Sequence, residues 1–111
     1  MIWAILPDIS KTESLLNNLS EADFDLNDIS VINRDVELRN KIAKDVGLLK
    51  GVAFKNLENS LIKLGLSKEG TGSCLDAVAN GKVLVVMKIK DEYLSAAVEM
   101  FQDVSAQIIK G

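Results

Sequence analysis

Apolar positions recur along this chain in two rhythms, and the order in which they appear at one end is repeated at the other. Ile2-Trp3-Ala4-Ile5-Leu6 is an unbroken apolar run of strand length, closed by Pro7-Asp8, where proline removes a ladder donor and turns the chain. Leu15, Leu16, Leu19 and Ala22 then return at helical spacing, and Ser10 with Glu13 has the spacing of a capping box, so a helix is expected from Ser10 to the Asp23-Phe24-Asp25 stop. From Ile29 to Asn33 the pattern alternates, Ile29 and Val31 on one face and Ser30 and Ile32 on the other, which predicts a short strand reaching a sheet edge. In the second copy, the β-branched run Val83 to Ile89 reads as a central strand covered on both faces. Asp91 is expected to cap a helix carrying Leu94, Ala97, Val98 and Phe101 on one stripe, and Ala106 to Ile109 to form the last strand.

Between the copies lies Val36 to Asn80, far longer than a hairpin turn. Val52, Phe54, Leu57, Leu61 and Leu64 repeat at helical intervals, with Gly65 placed as a C′ residue and Ser67 as the next N-cap. A second short helix carrying Cys74, Leu75 and Val78 is expected to run to Asn80-Gly81. Val36 to Val46 is charged and weakly periodic, and helix and ordered loop both fit it. The pattern as a whole predicts an α+β domain: a ferredoxin-like split βαβ sheet of four strands, helices on one face, and a two-helix insertion between strands 2 and 3. Residues 1–111 form one domain in this reading, divided into a first half (1–35), the insertion (36–80) and a second half (81–111).

Composition narrows the function more than the fold. A chain of 111 residues with 48% apolar and 26% charged positions can close a single core without disulfides. A net charge of −3 gives no electrostatic footprint for a phosphate backbone, and the aromatic residues Trp3, Phe24, Phe54, Tyr93 and Phe101 form no evident stacking platform, so nucleic acid is not expected as a partner. No apolar run approaches the ~20 residues of a membrane span and no basic leader precedes the first strand, so a cytoplasmic protein without a membrane partner is expected. The single cysteine, Cys74, cannot form an internal disulfide, and the absence of histidine removes the usual neutral-pH base and His-dependent metal sites and triads.

One stretch, Ser67-Lys68-Glu69-Gly70-Thr71-Gly72-Ser73, has phosphate-site chemistry: glycines that admit an anion, hydroxyl donors and a following helix N-terminus. Thr71, Gly72 and Ser73 are the candidate anion-binding residues, with Lys82 as an added cation, although the motif lacks a P-loop ending and follows no strand, which favours a helix start or loop. Cys74 reads better as a small buried hydrophobe than as a reactive thiol. Asp23, Asp25 and Asp28 lack EF-hand spacing and read as turn chemistry, and the mixed charges Arg34, Asp35, Glu37, Arg39, Lys41, Lys44 and Asp45 read most simply as an exposed face, with a partner surface that covers a sheet edge or bridges to a second subunit as the alternative. Trp3 and Phe24 are expected as core or interface anchors, the core reading being preferred. No catalytic residue, metal ligand or cofactor site is assigned.

The opening strand and helix, the segment Phe24-Asp25-Leu26-Asn27-Asp28-Ile29-Ser30-Val31, the helix start Leu64-Gly65-Leu66-Ser67 and the strand Gly81-Lys82-Val83-Leu84-Val85-Val86 together resemble the bacterial general stress or heat-induced stress protein domain. The insert carries charges such as Arg39, Lys41, Lys44 and Lys50 where that family's is rich in glycine and alanine. The resemblance implies a small, stress-associated, oligomeric domain with no catalytic residues. The expected function is a non-enzymatic cytoplasmic module acting by homo-oligomerisation, a dimer first, or by partner binding. The alternative is a sensor holding a small anionic ligand between the insertion and the sheet near Thr71-Gly72-Ser73.

Overall fold

A computed structural model describes residues 1–109, and in it the chain builds five α-helices and a four-stranded antiparallel sheet. The strands are β1 (Ile2–Leu6), β2 (Ile29–Ile32), β3 (Val83–Met87) and β4 (Gln107–Ile109), in the order β2-β3-β1-β4. The helices are α1 (Ile9–Glu21), α2 (Val36–Ile42), α3 (Leu57–Lys63), α4 (Lys68–Ala79) and α5 (Asp91–Asp103). β3 pairs with β1 through Ile2↔Met87 to Leu6↔Val83 and with β2 through Ile29↔Met87 to Ile32↔Leu84, and every residue of β3 is buried. The β-branched run thus lies inside the sheet. β1 and β2, joined by α1, are not neighbours: β3 lies between them.

Alternation along the strands divides the apolar side chains into two layers. Ile2, Ala4, Leu6, Ile29, Val31, Val83 and Val85 pack with Leu15, Leu16 and Leu19 of α1 and with Ala97 and Phe101 of α5. Ile5, Ile32, Leu84, Val86 and Ile109 face the other way, onto Leu57 and Leu61 of α3 and Cys74, Ala77 and Val78 of α4. The expectation of helices on one face is therefore corrected: Ile5, Leu84 and Val86 are too apolar to face water, and α3 and α4 cover them. The insertion forms the third layer of the domain. It also carries three α-helices where two were expected, because Val36–Ile42 winds into α2 under an Asp35 N-cap that accepts from the Leu38 N–H at 3.0 Å.

Several boundaries move for local reasons. Asp8, not Ser10, caps α1: its carboxylate accepts from the Lys11 N–H at 2.8 Å, so the capping-box reading placed the start two residues late. α5 begins after Lys90 with no side-chain cap, and Asp91 is its first helical residue, where its charge favours the helix dipole. The periodic run from Val52 becomes regular helix only at Leu57, preceded by a 3₁₀ turn at Phe54–Asn56. Ser67 caps α4 as expected, accepting from the Gly70 N–H at 3.1 Å.

Four helices end in the same double hydrogen bond. Leu66 and Gly65 donate to Leu61 and Ile62 after α3, and Lys82 and Gly81 to Ala77 and Val78 after α4. Phe24 and Asp23 repeat this on Leu19 and Ser20 after α1, and Ala106 and Ser105 on Phe101 and Gln102 after α5. In the last two the left-handed C′ position is held by Asp23 (φ 66°) and Ser105 (φ 63°) rather than glycine.

The insertion is fastened to the sheet edge by polar side chains. Ser30, 2% exposed on β2, donates from Oγ to the Val46 carbonyl at 3.1 Å and accepts from the Leu49 N–H at 2.9 Å. Gly47 passes so close to the Ser30 hydroxyl that no Cβ fits there. Arg39 of α2 donates to the Val31 carbonyl at 3.2 Å, and Asn33 donates to the Gly81 and Lys82 carbonyls at 3.3 and 3.1 Å. Of the charged positions after β2, Arg34, Asp35, Glu37, Lys41, Lys44 and Asp45 are exposed, as the exposed-face reading expected, and only Arg39 reaches the edge strand.

Candidate functional site

Charge is divided unevenly between the insertion and the body of the domain. The insertion, residues 36–80, holds seven Lys or Arg against five Asp or Glu, with six of the seven against three in residues 36–63, whereas the rest of the chain holds six against eleven. Exposed large apolar side chains follow the same division: Val36, Leu38, Leu48, Phe54 and Ile62 lie on the insertion, and Met1, Leu26 and Tyr93 elsewhere. Opposite in sign is α5, whose ionisable side chains Asp91, Glu92, Glu99 and Asp103 are exposed carboxylates, with Tyr93 exposed beside the first two.

A cavity of about 320 Å³ opens where the end of β2 meets α2 and the turn before α3. Arg34, Arg39, Asn33 and Asp45 supply its polar wall, and Val52 and Phe54 part of its apolar one. Arg34 is held by a 2.9 Å hydrogen bond from Nη1 to the Ala79 carbonyl at the C-terminus of α4, where a cation also suits the helix dipole. The Arg39 side chain is 11% exposed and approaches Asp45 at 3.6 Å, an ion pair too long for a direct hydrogen bond. Both Asp45 oxygens instead accept from the Gly51 N–H at 3.1 Å. Asn33 is fully engaged, since its Oδ1 also accepts from the Asp35 N–H at 2.9 Å.

A second cavity, about 330 Å³, lies on the other side of the 43–46 segment and is mostly apolar. Leu16, Ile29 and Val31 form its floor, with Ile42 and Val46 above and Lys44 as its charged lining residue.

The residues singled out for anion binding are not brought together. Gly70-Thr71-Gly72-Ser73 lies inside α4, not in a loop, because Ser67 starts the helix ahead of them. Thr71 is 2% exposed with its hydroxyl turned into the protein and unpartnered, so it presents no donor to solvent. Gly70 is small because Leu66 and Ile109 pack on it: a Cβ there would stand 2.9 Å from Leu66 Cδ1 and 3.0 Å from Ile109 Cγ2. Ser73 borders a cavity of about 250 Å³, but the Glu69 carboxylate borders it too and opposes an anion. Lys82 follows the other end of α4, a helix of 12 residues and therefore about 18 Å long.

Cys74 is fully buried in mid-helix, and burial raises its thiol pKa to about 11, so the unreactive reading fits. Asp25 accepts from the Asn27 N–H at 2.9 Å and Asp23 occupies the C′ position of α1, which are turn roles. Among the described residues no three His, Cys, Asp or Glu side chains converge to hold a metal ion, and no helix is long and apolar enough to cross a membrane. The core placement of Trp3 and Phe24 is corrected: both are only partly buried, Trp3 against the α3–α4 layer and Phe24 edge to face with Tyr93 at 6.4 Å. No family model, curated protein or solved structure matches the chain.

Sequence reasoning named Arg34, Arg39 and Asp45 only as members of a charged face. What it missed is that the end of β2, α2 and the 51–54 turn bring all three, with Phe54, around one cavity. The signal available was a charged segment whose weak helical period still places Val36 and Arg39 on one side.

Proposed function

We propose that this chain is a non-enzymatic binding module that works through its insertion, and that its partner is a second copy of the same chain. The observation that carries this is the division of charge: a basic, apolar-studded insertion and an acidic α5 bearing an exposed tyrosine, within one molecule. In a two-fold dimer each insertion meets the other copy's α5, so both contacts form at once and the assembly closes. Leu38, Leu48 and Ile62 supply apolar area, Tyr93 an anchor, and the opposed charges orient the encounter.

The proposed frame is a ferredoxin-like split βαβ sheet. The antiparallel order β2-β3-β1-β4, with α1 and α5 on one face, supports it. A cytoplasmic, stress-associated setting belongs to the same proposal and rests on the resemblance of the strand and cap motifs alone. Sedimentation equilibrium in about 0.02 M and about 0.5 M salt tests the self-association, because exposed charge pairs weaken as the screening length shortens. A dimer at low salt that loosens at high salt is expected. A monomer at high protein concentration and low salt refutes it.

A further inference from the structure

We propose that the Arg34–Arg39 cavity is a binding site for a small oxyanion carried on a flat apolar body, an aryl carboxylate or aryl phosphate. The cavity's 320 Å³ lies in the size range of small-ligand sites, and its lining pairs a few convergent polar groups with an apolar wall. Two guanidinium groups face one carboxylate there, and that carboxylate is engaged with the Gly51 N–H.

A guanidinium has five N–H donors. In the described residues Arg34 uses one on Ala79, and Arg39 one on Val31. Arg34 is exposed and the Arg39 side chain is 11% exposed, and both line the cavity, so donors not spent on the protein are open to water or to a ligand there. An oxyanion there takes up donors that the protein leaves unmet, and the planar fork of arginine matches carboxylate and phosphate oxygens two at a time.

The apolar half of the ligand follows from Phe54. Phe54 is 48% exposed on the 3₁₀ turn at the cavity wall, close to Val52 in sequence and in the lining. A flat body over this ring buries apolar area on both partners and gains an aromatic contact as well. The six basic residues of positions 36–63 against three acidic ones add a longer-range field of the right sign. The site differs from the one suggested by Thr71, Gly72 and Ser73 in having its cations beside its cavity. It also does not depend on self-association, since binding is measured on dilute protein.

The test is calorimetric titration of the intact protein in low salt and phosphate-free buffer, with benzoate, phenyl phosphate, inorganic phosphate, benzyl alcohol and benzylamine as probes. Benzoate or phenyl phosphate, or both, binds, and the preferred one identifies the oxyanion. Inorganic phosphate binds more weakly, and the alcohol and amine bind at least about tenfold more weakly, the scale of one charge-assisted hydrogen bond. Arg34→Gln weakens the aryl oxyanion by about tenfold or more. Because Arg34 also caps α4, Phe54→Ala, at an exposed position, is the second variant and lowers affinity several-fold with an unchanged circular dichroism spectrum. Failure of both aryl oxyanions to bind at millimolar concentration overturns the proposal. So does equal binding by the neutral alcohol, or undiminished binding by both variants.

Discussion

Replacing Ser30 with alanine removes one oxygen and, with it, the fastening between β2 and the insertion. Its Oγ donates to Val46 at 3.1 Å and accepts from the buried Leu49 N–H at 2.9 Å, and the side chain is only 2% exposed. Alanine leaves the Leu49 N–H without an acceptor in a place water does not reach, and frees the Val46 carbonyl. A buried donor left unpaired costs about 1–3 kcal/mol, so a loss of about 2–3 kcal/mol is expected for the pair. That is a large part of the roughly 5–15 kcal/mol that stabilises a domain of this size. Urea unfolding should show a lower midpoint at unchanged slope, meaning the same surface is exposed. Amide exchange should show the Leu49 N–H losing protection before the β3 amides do. Ser14→Ala is the control: Ser14 is an exposed serine that bonds back to the Ser10 carbonyl, and its replacement is expected to change stability by less than about 0.5 kcal/mol. If Ser30→Ala is as neutral as the control, the insertion is not held at this edge in the way described.

Asp23→Gly and Ser105→Gly each relieve a left-handed C′ position and are expected to raise stability by about 0.5–1 kcal/mol, read as higher urea midpoints; equal or lower midpoints contradict the cap assignment. Gly72→Ala is also stabilising, by about 0.5–1 kcal/mol, because the position is helical, exposed and open around the added methyl; destabilisation in thermal melts contradicts a regular α4. Cys74 in the native protein should label slowly with a thiol reagent at pH 7 and rapidly after denaturation. Its folded thiol, with a pKa raised by burial to about 11, stays protonated where the unfolded thiol ionises. Its contribution to stability is therefore full below pH 9 and falls between pH 9 and 11, and a Cys74→Ala variant loses that part of the slope.

Residues with a single physical role were legible in the sequence. The apolar run Val83 to Met87 could only be an interior strand, the Leu15-Leu16-Leu19 stripe could only face a sheet, and Ser67 and Gly65 mark a cap and a stop that the backbone uses. The place of the insertion was less legible, since the periodicity of Leu57 and Leu61 shows that they are buried but not against which face of the sheet. The apolar character of Ile5, Leu84 and Val86 on the second face was the available clue, and it requires a cover. The glycines of α4 misled because glycine admits close packing as readily as it admits an anion. Gly70 does the former, against Leu66 and Ile109. The Arg34–Arg39 cavity was illegible for another reason: it joins a strand end, a helix and a turn, and no local spacing encodes that meeting.

The most direct test of the insertion as the working surface is a series of ¹H–¹⁵N correlation spectra recorded from dilute to concentrated protein at low salt. Concentration-dependent shifts in residues 36–63 and in α5, reversed when salt is raised, are expected. Spectra that do not change with concentration, or changes confined to the β4 edge, contradict this.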